Sequence, residues 1–439
     1  MTLDLRPLAD LVAKDRAGKL GTGPTWAALS EASRAEVIRA MRWLERSRPE
    51  TYGLFGSEDE LSIAVVEAME APNGVPQDLD ALAERIAGKA SDGWVVATPL
   101  VNIWPPEDAE RVGSDALFIA TPDDERPDLR RIRDATLRTF GVAVDVGRRH
   151  QRDHDDQLFD TRQTASLVFA EVGTRRASEQ RALTKAQFVV ATWTLFKPPD
   201  DDGIFMPLWP AATTWLPQPS LHVEVVATTR DPQRKQPRGH TLVYPPDASS
   251  LYSPPTGEER EAPFRALLAI EQRPASALLS AAWSLYLAAR LPTDLHWVDR
   301  LELMMRAREA LCEPPPGATN ADDAFSRWKA LATRFNVSRE LRRRGFDSKD
   351  EKSITDRSWK VRNIGAHSAE AALLTLGYPP SRLRHVRDAQ PIPGSELAPL
   401  RIREGVEPIF AAVTYVAMSA WRQMLAADFD EAAWENLFA

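Results

Sequence analysis

The chain has 439 residues, a mass of 48.9 kDa and a net charge of −8, a length that favours two or three domains over one core. A hydrophobic content of 43% with 27% charged residues is typical of a globular protein. No signal peptide or membrane-spanning run is recognisable, and the single Cys312 excludes an intrachain disulfide and a cysteine-based zinc cluster. We therefore expect a cytoplasmic protein that does not associate with a membrane.

Residues 1–92 are predicted to be helical. Ser30 and Glu31 precede apolar residues spaced at a helical period, which is typical of a capped amphipathic helix. Two further runs, at residues 58–70 and 78–87, show similar spacing. The first quarter of the chain should therefore fold as a group of helices.

Residues 93–245 are predicted to be rich in strands, because β-branched and aromatic residues cluster between breaks at Pro, Gly and Asp. One helix is expected at residues 128–138, and a long Pro-rich loop with Trp209 and Trp215 at residues 197–219. A second Pro-rich stretch, residues 245–263, is interpreted as an interdomain linker. The predicted strands are residues 94–104, 116–120, 142–146, 165–172, 188–195, 221–228 and 241–244.

After the linker the hydrophobic pattern becomes helical almost to the last residue. The predicted fold class is therefore α+β, with an N-terminal mixed α/β domain at residues 1–262 followed by a C-terminal all-α helical bundle at residues 263–439. The helices expected in the C-terminal part are residues 274–289, 294–312, 321–334, 349–363 and 404–427.

Charge is distributed unevenly along the chain. Residues 264–439 contain 24 basic and 22 acidic side chains, whereas the preceding residues contain 31 and 41. The most basic stretch, residues 327–362, has 12 basic and 5 acidic side chains. Such a stretch favours a polyanion such as RNA, although a solvated helix face with interspersed ion pairs is the alternative. The candidate RNA-binding residues are Arg342, Arg343, Arg344 and Lys360.

At the end of this basic stretch, Arg362 is followed by Asn363 and, five positions after the arginine, by His367. An imidazole can accept a proton from a ribose 2′-hydroxyl at neutral pH, and a guanidinium can hold a phosphate through two parallel hydrogen bonds. The spacing alone is not selective, since four of the seven histidines have an Arg four to six residues upstream. On a straight helix the two side chains would diverge, but Gly365 permits the helix to end or bend. The alternative is a helix terminus with a surface Arg and His.

Other candidate motifs indicate less specific roles. His150 and His154 lie four residues apart beside three carboxylates, but the neighbouring arginines oppose a cation, so we interpret this segment as an exposed loop. His296 follows a proline at a predicted helix start, where a capping or packing role is expected. No P-loop, dinucleotide-binding fingerprint, nucleophile elbow or H-E-x-x-H helix is present. We therefore expect neither a metal nor a cofactor.

Residues 277–439 resemble the HEPN superfamily, in particular its Apea-like branch. The most specific feature is the segment from Trp359 to Ser368, which matches the family's aromatic-x-x-Arg-Asn-x-x-x-His pattern. Family members commonly have Gly after the histidine, whereas this chain has Ser368. Three weaker features are the apolar helix with an internal acidic residue at residues 303–311, the basic helix at residues 325–335, and the closing apolar helix from residue 404.

The resemblance implies a helical bundle that forms a homodimer, with Arg and His from both subunits facing a shared groove. It also implies metal-independent endoribonuclease activity, which many members have and which often serves in phage defence or as a toxin. His367 would then be the base, Arg362 the phosphate-holding group and Asn363 a supporting polar group. A phage-derived trigger or an antitoxin would be a further partner. Residues 94–120 look like the N-terminal half that accompanies some Apea-like HEPN domains, and on that likeness we interpret the N-terminal domain as a sensing or regulatory module.

Glu309 has two interpretations. By the resemblance, it would orient the site from a neighbouring helix. By its spacing, it belongs to a solvent-facing ladder of charges at i, i+4, i+7 and i+11. The other members of that ladder would be Glu302, Arg306 and Glu313.

Three functions are therefore weighed. The leading hypothesis is an endoribonuclease that cuts single-stranded or loop RNA through attack by the 2′-hydroxyl. The second is a catalytically silent HEPN module that binds RNA or a protein. The third is a nucleotidyl- or metal-dependent enzyme in the N-terminal half, which would stay active after deletion of the residues beyond 263.

Overall fold

The structure is a computed structural model in which helices predominate over a small antiparallel sheet, and this confirms the predicted α+β class. None of the helices it describes combines the length and the apolarity needed to cross a bilayer. The described residues are 5, 30–69, 76–90, 93–101, 103–120, 129–141, 163–196, 211–212, 223–225, 240–242, 252–291, 296–315, 321–346, 358–359, 361–364 and 406–439.

The N-terminal part is a group of helices with its own core, as predicted. Ser30 caps the first helix by accepting a hydrogen bond from the backbone N–H of Ser33 at 3.3 Å, and Asp78 caps the last by accepting from that of Ala81 at 2.8 Å. Their apolar faces form a cluster separate from the main core of the protein. The helices described in this part are α1 (Glu31–Ser47), α2 (Pro49–Tyr52), α3 (Glu58–Met69) and α4 (Leu79–Lys89).

A five-stranded antiparallel sheet follows, with the strand order β2-β3-β4-β1-β5. The strands predicted at residues 116–120 and 165–172 are confirmed. The strand predicted at residues 94–104 is present but ends at residue 101, and the short β2 was not predicted. The residues predicted at 142–146 lie outside the described part. A separate ribbon pairs β6 with β7. The strands are β1 (Gly93–Val101), β2 (Glu110–Val112), β3 (Ala116–Ala120), β4 (Gln163–Val172), β5 (Ala211–Ala212), β6 (Val223–Val225) and β7 (His240–Leu242).

Both faces of the sheet are covered, because side chains alternate along each strand. Leu117 and Val168 pack with Ala135 of helix α5 (Leu129–Phe140) on one face. Phe118 and Leu167 belong to the main core on the other face. The sheet therefore lies between α5 and the rest of the protein.

The main core is built around helix α6 (Arg175–Phe196), where the strand prediction for residues 188–195 is wrong. Every residue from 189 to 196 is buried in this helix, so the sequence shows no polar face at a helical period. The β-branched and aromatic residues of this run resemble a buried strand, and a run of this kind cannot be assigned by periodicity alone. The helix is instead stabilised by other elements that pack against it on all sides.

The remaining described segments are helical, as predicted for the C-terminal part. Helix α10 has the predicted bounds, and the helices predicted at 274–289, 294–312 and 404–427 are present with ends shifted by one to three residues. A short helical piece, the Trp359 segment, comprises residues 358–359 and 361–364. The helices are α7 (Glu258–Leu268), α8 (Arg273–Arg290), α9 (Trp297–Leu311), α10 (Ala321–Arg334), α11 (Val337–Arg343), α12 (Val406–Ala426) and α13 (Glu431–Glu435), followed by a 3₁₀ turn (Asn436–Phe438).

The stretch interpreted as a linker is packed where it is described. Tyr252 is buried, and its backbone carbonyl accepts a hydrogen bond from the N–H of Trp104 at 2.7 Å. Helix α7 starts within the same stretch, and its Phe264 ring lies 6.2 Å from that of Trp193. The boundary expected between residues 262 and 263 falls inside α7, and one apolar cluster contains residues from both sides of it. Of the described residues of this stretch, Pro254 and Pro255 precede the helix and Pro263 lies inside it.

The N-terminal helices join the sheet through polar contacts. Arg181 of α6 donates to the carbonyl oxygens of Gly53 and Val172 and to the carboxylate of Glu171. The backbone N–H of Thr174 donates to the carbonyl of Leu54 at 2.8 Å. Because glycine has no side chain, the two backbone segments approach each other closely at this junction. A polar junction of this kind allows the N-terminal helices to move relative to the sheet.

Gly173 should be intolerant of substitution. Its φ is +141°, and an added Cβ would lie 2.7 Å from the carbonyl oxygen of Leu54. We expect Gly173→Ala to lower the free energy of unfolding by about 1–3 kcal/mol. Gly88→Ala is the matched control, because nothing lies within 4 Å of its added Cβ and alanine favours a helix. Equal urea midpoints for both variants would contradict the described junction.

Candidate functional site

The predicted site residues are only partly described. Arg362 and Asn363 lie in the Trp359 segment, and Glu309 lies in α9. His367 and Lys360, together with the intervening Gly365, lie outside the described residues. The geometry between Arg362 and His367 therefore stays a prediction.

Arg362 forms hydrogen bonds with two other predicted site residues. Its Nη2 donates to Glu309 Oε2 at 3.2 Å, across 53 positions of sequence, and its Nη1 donates to Asn363 Oδ1 at 2.9 Å. The arginine side chain is 15% exposed, and its Nε is buried without a hydrogen-bond partner. The guanidinium is therefore held at a partly open position with donor capacity left over.

An aromatic cluster that was not predicted surrounds this arginine. The guanidinium carbon of Arg362 lies 5.6 Å from the ring centroid of Trp359, and that of Arg308 lies at the same distance from the same ring. Arg308 is buried and also lies 5.0 Å from the Trp328 ring and 5.8 Å from the Phe325 ring. These contacts join α9, α10 and the Trp359 segment. Cation–π contacts are strongest where the cation is shielded from water.

Glu309 does not follow the charged ladder that its spacing suggested. Arg306 pairs with Glu302 one turn back at 2.7 Å, as in a ladder. Glu309 instead contacts Arg362 from the neighbouring segment, with about a third of its side chain exposed. Consecutive residues of one helix turn thus contact the Trp359 segment in different ways: Arg308 through the tryptophan ring and Glu309 through the guanidinium.

The arginines predicted to bind RNA lie at the end of α11. Arg343 and Arg344 donate to the carboxylate of Glu340 at 2.7 and 2.9 Å. The Nε of Arg342 donates to the carbonyl of Ser338 at 3.1 Å. The hydrogen bonds and positive charges of Arg343 and Arg344 lower the pKa of Glu340 to about 2. All three arginines are exposed, but one carboxylate offsets part of their charge at neutral pH.

Helix α10 is held in place by ion pairs with the last helix of the chain. Arg327 donates to both carboxylate oxygens of Glu435, at 2.7 and 3.1 Å. Arg273 of α8 also donates to Glu435 and to Glu431. The hydrogen bond from Arg327 lowers the pKa of Glu435. The side of α10 that faces α13 is therefore occupied by paired charges.

Other reactive groups in the described part do not form a competing site. No group of three or more His, Cys, Asp or Glu side chains that could hold a metal ion occurs among the described residues. Burial raises the pKa of the Cys312 thiol to about 12, so it is not a nucleophile near neutral pH. His296 precedes α9 without a side-chain cap, and its Nδ1 lies 3.2 Å from Asp299 Oδ2 in an exposed position.

Comparison with known proteins returns no match to a family model, a curated protein or a solved structure. The HEPN resemblance therefore depends on the sequence features described above, which lie between residues 303 and 368 and in the helix from residue 404.

Arg308 should contribute more to stability than its neighbour Arg306. We expect Arg308→Ala to lower the free energy of unfolding by more than about 2 kcal/mol, because it removes a buried side chain packed among three rings. Arg306→Ala is the matched control, since Arg306 makes an exposed pair worth less than about 0.5 kcal/mol. Guanidinium unfolding curves of the two variants measure the difference. Indistinguishable curves would show that the aromatic cluster is absent.

Proposed function

We propose that the chain is a metal-independent endoribonuclease of the HEPN type, acting in the cytoplasm as a homodimer formed by its C-terminal helices. The observation that supports this most directly is Arg362, held by Glu309 and Trp359 five residues before His367. The described C-terminal segments are all helical, which is compatible with a HEPN-like bundle. Phage defence or toxicity to the host cell is the expected biological role.

The reaction needs one base and one cation. His367 removes the proton from a ribose 2′-hydroxyl, and the resulting oxygen attacks the adjacent phosphorus. Arg362 binds the phosphate as negative charge increases on its oxygens. The bond from phosphorus to the 5′ oxygen breaks, that oxygen takes up a proton from water, and His367 releases its proton to the solvent. The products are a 2′,3′-cyclic phosphate and a 5′-hydroxyl end.

The contacts of Arg362 suit it to this role. A guanidinium that is already oriented loses less side-chain entropy when a phosphate binds. Glu309 and Asn363 each engage one terminal nitrogen, and every terminal nitrogen carries a second hydrogen. The low exposure of the side chain strengthens its interaction with an anion. Loop or single-stranded RNA is the expected substrate, because in-line attack needs an unconstrained backbone.

We propose that the N-terminal helices and sheet regulate the nuclease in response to a phage-derived trigger or an antitoxin. The polar junction centred on Arg181 supports this role, because it joins two separate apolar clusters with few buried apolar contacts of its own. Helix α6 carries Arg181 at one end and packs against α8 in the main core. Movement of the N-terminal helices would therefore act on the same helix that supports the C-terminal part.

Loss of His367 should remove most of the cleavage. We expect His367→Ala to reduce the rate about 10²- to 10⁴-fold in the presence of EDTA while leaving RNA binding intact, because a general base contributes on this scale. The measurement is the appearance of 5′-hydroxyl and cyclic-phosphate ends in total RNA. His296→Ala is the matched control, since this histidine is exposed and its ion pair lies outside the candidate site. Equal cleavage by His367→Ala and the wild-type protein would exclude the proposed mechanism.

Glu309 should act as a positioning residue for Arg362. Glu309→Gln keeps a hydrogen-bond acceptor but removes the charge, so we expect kcat to fall on the order of tenfold or more with little change in stability, because small errors in placement are costly. Glu302→Gln is the control on the same helix, since Glu302 pairs with the exposed Arg306. A kcat equal to that of the wild-type protein would show that Glu309 does not position Arg362 for catalysis.

A catalytically silent module that binds RNA is the second candidate. It is favoured by the pairing of both terminal nitrogens of Arg362 within the protein. In that case RNA binding would be strong, would weaken steeply with salt, and would produce no new RNA ends with the wild-type protein. The same cleavage assay therefore separates the two candidates.

A further inference from the structure

One side of helix α10 combines an exposed aromatic ring with exposed cations. Phe325 is 41% exposed, although the neighbouring Trp328 is buried. Lys329, one helical turn further on, is also exposed. We name this side, with its members Phe325, Ser326, Lys329, Thr333 and Arg334, the α10 outer face.

The polar half of the α10 outer face forms a shallow cleft of about 440 Å³. Its lining residues include two cations and two hydroxyls and no carboxylate side chain. The side chain of Arg334 is held in one orientation because its Nη1 donates a hydrogen bond to the carbonyl of Asn436 at 2.8 Å. The lining residues are Ser326, Lys329, Ala330, Thr333, Arg334 and Ala439.

Electrostatics favour an anion at this half of the face. Positive charge lies towards the C-terminal end of α10, where Lys329 and Arg334 are exposed. Beneath the face, the carboxylate of Glu435 is neutralised by Arg327 and Arg273. Phosphate groups are therefore expected near Lys329 and Arg334.

The aromatic half is continuous with the Arg362 site. Phe325 contacts Arg308, Arg308 contacts Trp359, and Trp359 contacts Arg362. From residue 325 to residue 333 the helix rises by roughly 12 Å. A strand that passes the Arg362 site could therefore place a base on Phe325 and continue its phosphates along α10.

We infer that the α10 outer face binds a single-stranded RNA segment, with a base stacked on Phe325 and phosphates on Lys329 and Arg334. This inference rests on the proposed function for its position beside the cleavage site. Stacking on an aromatic side chain requires an unpaired base, because bases in a duplex are already stacked. The face therefore selects single strands over duplexes.

The test uses the full chain with the His367→Ala substitution, so that RNA is bound without being cut. Fluorescence anisotropy in EDTA measures binding of a labelled single-stranded oligouridine and of an RNA duplex of equal length. We expect Phe325→Ala to weaken single-strand binding on the order of tenfold, the scale of one lost stacking contact, and Phe325→Trp to retain it. Lys329→Ala should reduce the slope of log Kd against log salt by roughly 0.7, as for one lost phosphate contact.

Leu268→Ala is the matched control, because Leu268 is an exposed apolar residue of α7 outside this face. Its binding should equal that of the His367→Ala background. Unchanged affinity of Phe325→Ala, or an equal loss for duplex and single strand, would overturn the inference.

Kinetics separate this inference from the proposed nuclease. If otherwise wild-type protein cuts RNA and Phe325→Ala leaves KM unchanged, the α10 assignment fails and the nuclease stands. If the wild-type protein makes no cuts but Phe325→Ala loses single-strand binding, the nuclease fails and the α10 assignment stands.

Discussion

The structure depends on the burial of helix α6. Its last eight residues are apolar or threonine and all are buried, so this helix is stable only where other elements cover it on every side. The sheet covers one side, and α7 and α8 cover others. Burial of this much apolar surface is the main favourable term in such a fold, and it holds the strands and the C-terminal helices in one cluster. The placement of α9 on α8, and with it that of Glu309, follows from this arrangement.

The candidate site is formed by three segments that are far apart in sequence. α9 supplies Arg308 and Glu309, α10 supplies Phe325 and Trp328, and the Trp359 segment supplies Arg362. A buried guanidinium is costly unless it is paired or shielded by polarisable groups. The tryptophan rings lower that cost for Arg308, and Glu309 balances the charge of Arg362. A single substitution in one segment therefore changes the contacts of the other two.

The local sequence pattern predicts the helices and strands of this protein better than it predicts the contacts that their side chains make. Helix α10 has its predicted bounds because its polar and apolar residues alternate at a helical period. Residues 188–195 were predicted incorrectly because a run that is buried all round has no such period. The Glu309–Arg362 contact spans 53 positions, and spacing within α9 favoured a ladder instead. Only the family resemblance suggested that Glu309 would approach Arg362, and no local rule predicts the shared contacts of Arg308 with three rings.

The thiol of Cys312 can report when the end of α9 separates from the core. It is the only cysteine of the chain, it caps the end of α9 three residues after Glu309, and it is 1% exposed. A thiol reagent can modify it only after the end of α9 separates from the core, so labelling under native conditions follows that local event. The labelling rate at different reagent concentrations therefore yields the free energy of opening beside the candidate site without any introduced probe. RNA that binds at Arg362 would slow this labelling, since ligand binding stabilises the closed form.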